Sequence, residues 1–344
     1  MKAIVQDRYG SPDVLAYGEV EKPEAGAGDV LVRVHAAGVD RGVWHLMAGL
    51  PYLVRIMGYG FRRPAKRVPG MDVAGTVEAV GSGVTRFRPG DRVFGEISGA
   101  YAEYASAPAT SLEAMPSNLG FEQAAALAIS GRTALRAVRE MGEVTAGQRV
   151  LVIGASGGVG SYAVQIAKAY GAEVTGVCST SKVDLVRSIG ADHVIDYTRE
   201  DFTDGNHEYD VILDMGGNRP LRRLRRALTE RGTLVIVGGE AGGRWLGGIG
   251  RGVWASLLSG FVSQNLRMQV PGEQTDDLPV LKELVETGKV TPTIDRTFPL
   301  EEAADAIRYL VSGKARGKIV LTLGGAAAPT RRPPAPSTSS GRTT

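Results

Sequence analysis

The sequence predicts an α/β protein in which a doubly wound parallel sheet is joined to a smaller β-rich domain. Three observations carry this. Up to residue about 110 the chain reads as short strands separated by glycine and proline turns. From Phe121 onward, helical patterns alternate with short apolar runs. Between Arg149 and Tyr170 the segment RVLVIGASGGVGSYAVQIAKAY passes without interruption from an apolar run through a glycine turn into an amphipathic helix.

The early strands are expected at Ala3–Gln6, Asp29–Ala37, Asp72–Val80, Arg92–Phe94 and Ala102–Ala105. Strands of the second kind are expected at Val150–Ile153, Glu173–Val177, His193–Ile195, Val211–Asp214 and Thr233–Gly238. These are continuous apolar runs, as required of parallel strands covered on both faces. Leu278–Glu286 and Leu300–Val311 have amphipathic helical spacing, and Gly317–Leu323 (GKIVLTL) reads as a closing strand; all three are expected to return to the first domain. The tail from Gly324 is rich in proline, serine, threonine and arginine, and is expected to be disordered.

The glycine turn predicts a dinucleotide site formed by Gly154, Ala155, Ser156, Gly157, Gly158, Val159 and Gly160. Glycines at this spacing permit a tight turn, close approach to a pyrophosphate, and packing of the helix on the strand. The helix start then offers N–H groups and a positive dipole end to the phosphates. Alanine stands at the first fingerprint position, and the competing reading is a strand–helix turn that uses glycine for packing alone. The end of the next strand bears on the choice of nucleotide. An NAD site carries an acidic residue there for the ribose hydroxyls. This chain has Cys178, Ser179, Thr180, Ser181 and Lys182 instead. Hydroxyls and a lysine favour a 2′-phosphate and hence NADPH, with Ser179 and Lys182 as the binding residues. A solvated lysine in a first helical turn is the other reading of Lys182.

With 344 residues the chain suits two domains, and its 43% hydrophobic and 22% charged residues are ordinary for a globular protein. A net charge of +3 does not argue for nucleic acid or membrane partners. The single cysteine, Cys178, excludes an internal disulfide and, with no signal-like N-terminus, points to a cytoplasmic protein.

Several spaced motifs carry a resemblance: AAGVD at Ala36–Asp40, VPGMDVAGTVEAVG at Val68–Gly81, RPGDRVFG at Arg88–Gly95, NLGFEQAAALAISGRTA at Asn118–Ala134, the glycine turn, and GADHVIDY at Gly190–Tyr197. In this series the chain resembles the medium-chain dehydrogenase/reductases, in the zinc-independent branch of quinone oxidoreductases and ζ-crystallins. The resemblance covers about residues 1–324. It implies a GroES-like catalytic domain from residues 1–121 and 271–324, a Rossmann domain over 122–270 inserted into it, and a tail at 325–344. It also implies Thr133 beside the nicotinamide, and Tyr197 joining Lys182 at the 2′-phosphate. Thr133 read alone would bond its own helix backbone, and Tyr197 would be a core aromatic.

Zinc-dependent members of the superfamily carry cysteine after AAGV and His-Glu after PG; this chain has Asp40 and Met71-Asp72, with Ile129 near the third ligand position. No metal is expected, because methionine and isoleucine are poor zinc ligands. Hydride chemistry then rests on the cofactor and on positioning. Asp40, His45 and Tyr52 lie on the segment that walls the cleft in relatives. His45 suits proton donation near neutral pH. Tyr52 is the second donor, and Asp40 would orient His45, bond a ribose hydroxyl or cap the following helix. Solvent is an equally available proton source.

Leu50–Arg67 (LPYLVRIMGYGFRRPAKR) departs from the family pattern as an aromatic and basic insertion, expected to act as a lid or a solvated rim. Arg219, Arg222, Arg223, Arg225 and Arg226 are expected to face solvent. The expected activity is NADPH-dependent reduction of a quinone, activated alkene or carbonyl. The rivals are a zinc-independent alcohol dehydrogenase or enoyl reductase, and an NADPH-binding sensor, structural or nucleic-acid-binding protein with little turnover. A small-molecule electrophile is the expected partner, with no membrane and no nucleic acid. An edge-to-edge homodimer is expected through Thr233–Gly238 and Glu240–Gly252.

Overall fold

Six parallel strands form one sheet in the computed structural model, which describes residues 1–204, 208–217, 219–239, 243–269 and 277–324. Their order is His193–Asp196, Glu173–Cys178, Arg149–Ile153, Tyr209–Asp214, Leu228–Ile236 and Asn265–Met268. The strand alternation divides the core in two. Val150 and Val152 pack with Tyr162, Ala163 and Ile166 of the helix Gly158–Ala169, whereas Leu151 and Ile153 pack with Leu224 and Ala255 on the opposite face. Burial on both faces is why these runs contain no polar alternation. The order reverses between Arg149–Ile153 and Tyr209–Asp214, and in such sheets the crevice at the carboxyl ends of the strands takes the ligand.

A second, seven-stranded sheet runs Ile294–Pro299, Lys318–Thr322, Asp29–Val39, Asp72–Val80, Arg92–Glu96 and Leu112–Ala114, with Tyr104–Pro108 paired to Asp29–Val39. Only the Ile294–Pro299 and Lys318–Thr322 pair is parallel. Val34, Val73, Ile319 and Leu321 line its core with Ala306 and Ile307 of the helix Ala303–Val311. The closing strand pairs with Asp29–Val39, and this helix packs on the same seven-stranded sheet. The helix Asp277–Glu286 lies at the seam instead. Its Leu281 packs on Gly131 of the helix Ala128–Arg136, while Asn118 Nδ2 donates to Val285 O at 2.9 Å.

Several elements differ from the sequence expectation. The strand expected at Ala102–Ala105 runs Tyr104–Pro108, and Ala16–Glu19, Leu112–Ala114, Asn265–Met268 and Ile294–Pro299 are additional strands. These four are short and half-exposed, so they bury too few side chains to leave an apolar pattern. One of them corrects the dimer expectation. Leu228–Ile236, which contains most of Thr233–Gly238, is paired on both sides, and the free edge belongs to Asn265–Met268. The expected tail at 325–344 lies outside the described residues.

The arginine run is also corrected. Arg223 pairs with Asp201 at 2.8 Å and Arg225 Nε donates to Gln264 Oε1 at 2.9 Å, leaving Arg222 and Arg226 exposed. The helix Leu221–Arg226 has only six residues, so charges on most of its faces meet neighbouring segments.

Tyr162 is fully buried and donates its hydroxyl to Ala126 O at 2.9 Å, tying the phosphate-side helix to the segment after Phe121–Ala125. Tyr162→Phe would leave that carbonyl without a donor. It should lower the unfolding free energy by about 1–3 kcal/mol in urea titration. An unchanged midpoint would contradict the assignment.

Candidate active site

Gly154 adopts φ +80°, a left-handed conformation that favours glycine, and its N–H and that of Ala155 both donate to Val177 O at 3.1 Å. Gly157 caps the helix Gly158–Ala169. A Cβ on Gly160 would stand 2.1 Å from Gly154 O, so the third glycine is required for the helix to reach the strand. Ala155 and Ser156 are buried beneath the turn. The N–H groups of Gly158, Val159 and Gly160 open the helix without intrahelical acceptors, an arrangement suited to a pyrophosphate.

The second strand ends beside the third, with Cys178 opposite Asp196. This brings a carboxylate close to the hydroxyl-rich segment from the neighbouring strand, which the sequence did not reveal. Asp196 is already engaged by the Thr180 and Thr198 hydroxyls, the Thr198 N–H and Arg199. The Thr180 hydroxyl foremost among them holds its carboxyl below the usual range. Ser179 is half-buried and its carbonyl accepts the Lys182 N–H at 2.9 Å. Lys182 is neither solvated nor idle: its Nζ donates to Gly313 O at 2.9 Å and Ala315 O at 2.7 Å, and burial lowers its pKa. Tyr197 is half-exposed, which excludes the packed-core reading of its ring. Burial pushes the Cys178 thiol up to about 11, so this cysteine stays a protonated, unreactive core residue.

Thr133 Oγ1 donates to Ile129 O at 2.7 Å, leaving its oxygen lone pairs as acceptors, and Gln269 Nε2 donates to Thr133 O at 3.0 Å. His45 sits on the helix Arg41–Ala48, with Nδ1 2.8 Å from Leu50 O. A carbonyl only accepts, so Nδ1 carries the proton and Nε2 is the exchangeable atom. The ring of Tyr52 meets Trp245 edge-on at 5.3 Å, and its backbone N–H donates to Arg244 O at 2.7 Å.

Of the expectations for Asp40, the helix cap is corrected. The residue makes no cap bond to the helix Arg41–Ala48, and its carboxylate turns inward to the ammonium of Lys318 and the hydroxyl of Ser130. Lys318, 1% exposed, also donates to Asp72 Oδ2 at 3.1 Å and Ser130 Oγ at 3.0 Å. Asp72 Oδ1 accepts the Ile129 N–H at 2.7 Å. Burial opposes charge on Asp40 most strongly, but Lys318 together with hydrogen bonds from Asp72 and Ser130 outweighs it and holds the carboxyl below its ordinary range. Burial and the neighbouring Asp40 push Asp72 well above that range. Burial would lower Lys318, yet the two carboxylates keep it raised. The group is therefore an ammonium paired with the Asp40 carboxylate, with the Asp72 carboxyl beside it biased toward its protonated form.

This arrangement does not suit zinc. The position between Asp40 and Asp72 is filled by a lysine nitrogen, and Met71 and Ile129 supply no donor in its place. Among the described residues, no three of histidine, cysteine, aspartate and glutamate gather as a metal site. The cluster stands directly behind the glycine turn: a Cβ on Gly158 would be 3.2 Å from Lys318 Cδ and 3.4 Å from Ser130 Oγ, and Gly157 bridges Gly317. At the sheet's carboxyl edge, Asp214 Oδ1 accepts the Gly217 N–H at 2.8 Å and its Oδ2 lies 2.7 Å from Arg251 Nη2, shaping the loop opposite the turn. Lys318 and Ser130 were missed from sequence. The available signal was a lysine placed inside an apolar closing strand.

The alcohol dehydrogenase GroES-like domain model matches residues 26–117, and the zinc-binding dehydrogenase model matches residues 189–321. A human protein named quinone oxidoreductase is 33% identical over 334 residues, covering 94% of this chain and 98% of its own length. The chloroplastic NADPH-dependent alkenal/one oxidoreductase of Arabidopsis thaliana is 34% identical, covering 93% of this chain and 79% of its own. Among solved structures, the Escherichia coli quinone oxidoreductase complexed with NADPH superposes with a TM-score of 0.80 at 26% identity, over 94% of this chain and all (100%) of that one.

Removing Lys318 should expose the cost of the buried carboxylates. Lys318→Met is expected to lose about 3–5 kcal/mol at neutral pH. With their counter-ion gone, both carboxyls would have native pKa values above their unfolded ones. The native state then binds more protons, so stability should rise as pH falls from about 8 to about 5. In the parent Asp72, raised by burial and Asp40, already has this sign, but Asp40 has the opposite one: its stabilisation is present above the unfolded carboxylate pKa and lost as pH falls through its lower native value, so the variant should show the steeper rise. Thermal melts across this range in which the variant parallels the parent would contradict the cluster.

Proposed function

This chain belongs to the quinone oxidoreductase family of the medium-chain dehydrogenase/reductases, and we propose that it is a zinc-independent, NADPH-dependent oxidoreductase acting on a quinone, an activated alkene or a carbonyl. The observation that carries the reading is the glycine turn at the switch point of the parallel sheet, followed by a second strand that ends in hydroxyls and Lys182 instead of a carboxylate. The names of the human and Arabidopsis relatives, and the NADPH complex of the E. coli protein, support it.

When bound, NADPH would supply the hydride. The chain's own residues do the rest. Gly158, Val159 and Gly160 direct their N–H groups to the pyrophosphate. Lys182 would exchange two neutral carbonyl acceptors for an anionic phosphate, pairing its charge with an opposite one, with Ser179 and Tyr197 beside it. Thr133 Oγ1, its own proton committed to Ile129 O, would be free to accept a hydrogen bond from the carboxamide. His45, its Nδ1–H fixed on Leu50 O, would have to carry a second proton on Nε2 to donate it to the oxygen that becomes anionic on hydride addition, leaving the neutral ring, with Tyr52 as the second donor. Asp40 serves as a positioning residue through Lys318.

The reading includes a division into residues 1–121 with 271–324 and residues 122–270, cytoplasmic residence, no nucleic-acid partner, and a homodimer formed through the edge strand Asn265–Met268. A monomeric mass by light scattering would remove the dimer.

Initial rates of cofactor oxidation with a panel of quinones, enones and aldehydes test the proposal. The parent should prefer NADPH to NADH, and Lys182→Ala should reduce that preference by about 1–2 kcal/mol, or roughly five- to thirtyfold, on the scale of one charge-assisted bond. Equal use of both cofactors by the parent would overturn the assignment of Lys182, and no turnover on any class would overturn the activity.

A further inference from the structure

The edge strand Asn265–Met268, with the residue that follows it, presents two unlike faces. Leu266 is buried with Leu224 and Ala255, and Met268 lies against Gly252 of the helix Ile249–Ser259. Arg267 and Gln269 alternate with them and so point to the other face, where the helix Ala128–Arg136 continues into the wider helical turn Ala137–Met141. Arg267 Nη1 donates to Met141 O and to Glu143 Oε1, both at 2.8 Å, and Gln269 Nε2 donates to Thr133 O at 3.0 Å. Gln269 is itself held through its backbone N–H on Ile236 O at 2.9 Å, at the carboxyl edge of the parallel sheet where the crevice opens.

The Gln269 bond is not needed to satisfy a buried group. Thr133 O already accepts the Ala137 N–H within the helix. Gln269 keeps its own Oε1 buried and without a hydrogen-bond partner. An unpaired buried acceptor costs free energy, and the flexible, apolar side chain of a methionine would fill the space without it. Arg267 closes the far end of the same segment, where Glu143 stands at φ +50°, in the left-handed region that favours glycine. The edge strand thus grips the Thr133 helix at two points, and at Thr133 it does so at a cost to the fold. A buried polar atom left unpaired in this way calls for a reason other than stability.

We propose that Gln269 is a positioning residue for the nicotinamide: from the end of the edge strand it fixes the helical turn that carries Thr133, so that Thr133 Oγ1 meets the carboxamide. The inference rests on the placement of the nicotinamide beside Thr133 proposed above. Two bonds settle the hydroxyl. Its proton goes to Ile129 O at 2.7 Å, which sets where its lone pairs point on the helix, and Gln269 sets where the helix lies against the strand ends. The rest of the cofactor is assigned to other elements, the glycine turn before the helix Gly158–Ala169 and the segment Ser179–Lys182. Loss of the Gln269 bond is therefore felt by the nicotinamide half alone. A small displacement of a group that orients a reactant is enough to impair its alignment for transfer.

The test compares the full chain with Gln269→Met, Thr133→Val and the double variant, titrated with NADPH and with 2′-phospho-ADP-ribose, which lacks the nicotinamide, alongside thermal melts. Gln269→Met should bind NADPH about five- to tenfold more weakly, on the scale of one neutral hydrogen bond, and 2′-phospho-ADP-ribose as the parent does. Its melting midpoint should match or exceed the parental one, because the orphaned Oε1 is gone and Thr133 O keeps the Ala137 N–H. Thr133→Val should show the same selective loss, and the double variant should lose no more than the larger single loss. A Gln269→Met chain that binds NADPH as tightly as the parent, or that loses both ligands equally, overturns the proposal. So does one that melts well below the parent or fails to fold, since the bond would then serve stability. Additive losses in the double variant, or a Thr133→Val chain that binds NADPH as the parent does, overturn it because Gln269 would not act through Thr133. A parent that binds neither ligand removes the cofactor reading itself, and the proposal with it.

Discussion

The ammonium of Lys318 is the fixed point around which this active site is assembled. It lies 1% exposed between Asp40 and Asp72 and against Ser130. Each charge would be costly alone, since taking one ion out of water costs several kcal/mol even after relaxation. The four residues come from four separated segments: the end of Asp29–Val39, the start of Asp72–Val80, the helix Ala128–Arg136 and the strand Lys318–Thr322. None of these can shift without leaving a buried charge unpaired. The glycine turn rests directly on this group through Gly157 and Gly158. The register between the dinucleotide site and the first sheet is thus set by electrostatics as well as by the continuous apolar core.

The same interaction explains how a family whose domain model carries the words zinc-binding can include a chain like this one. Zinc would polarise a substrate oxygen directly. Here a lysine nitrogen occupies the space between the carboxylates, buried and neutralised, and acts only on structure. In the proposed reaction, orientation would fall to the glycine turn, Thr133 and the His45 helix, and protonation to His45, Tyr52 or water.

What was legible in the sequence follows from how strongly each feature is forced. The buried parallel strands and the glycine turn were, because both-face burial leaves unbroken apolar runs and because Gly160 has no room for a side chain. The strand Asn265–Met268 was not, since only Leu266 is fully buried and the remainder belongs to an open edge. Asp40 and Lys318 were illegible as a pair: they are 278 residues apart, and a lysine in GKIVLTL reads locally as a solvent-facing strand residue. Lys182 follows the second strand as its sequence position implies, but its partners in the Gly313–Ala315 turn are ones that no local pattern could announce. The arginines at 219–226 and those near the 55–67 loop look alike in sequence. Only the fold shows that the first set meets Asp201 and Gln264, while in the second Arg67 is tied to Asp7 and Arg62 and Arg63 stay exposed.

The central claim is that hydride transfer here needs no metal because Lys318 holds the place a cation would take. It is tested most directly by stripping the protein with a chelator, verifying by elemental analysis that zinc is absent, and measuring NADPH oxidation with the best electrophile. The account predicts the same rate before and after stripping, unchanged by added zinc. Activity that disappears on stripping and returns with zinc would contradict it, and would mean that Asp40 and Asp72 release the lysine to bind a metal.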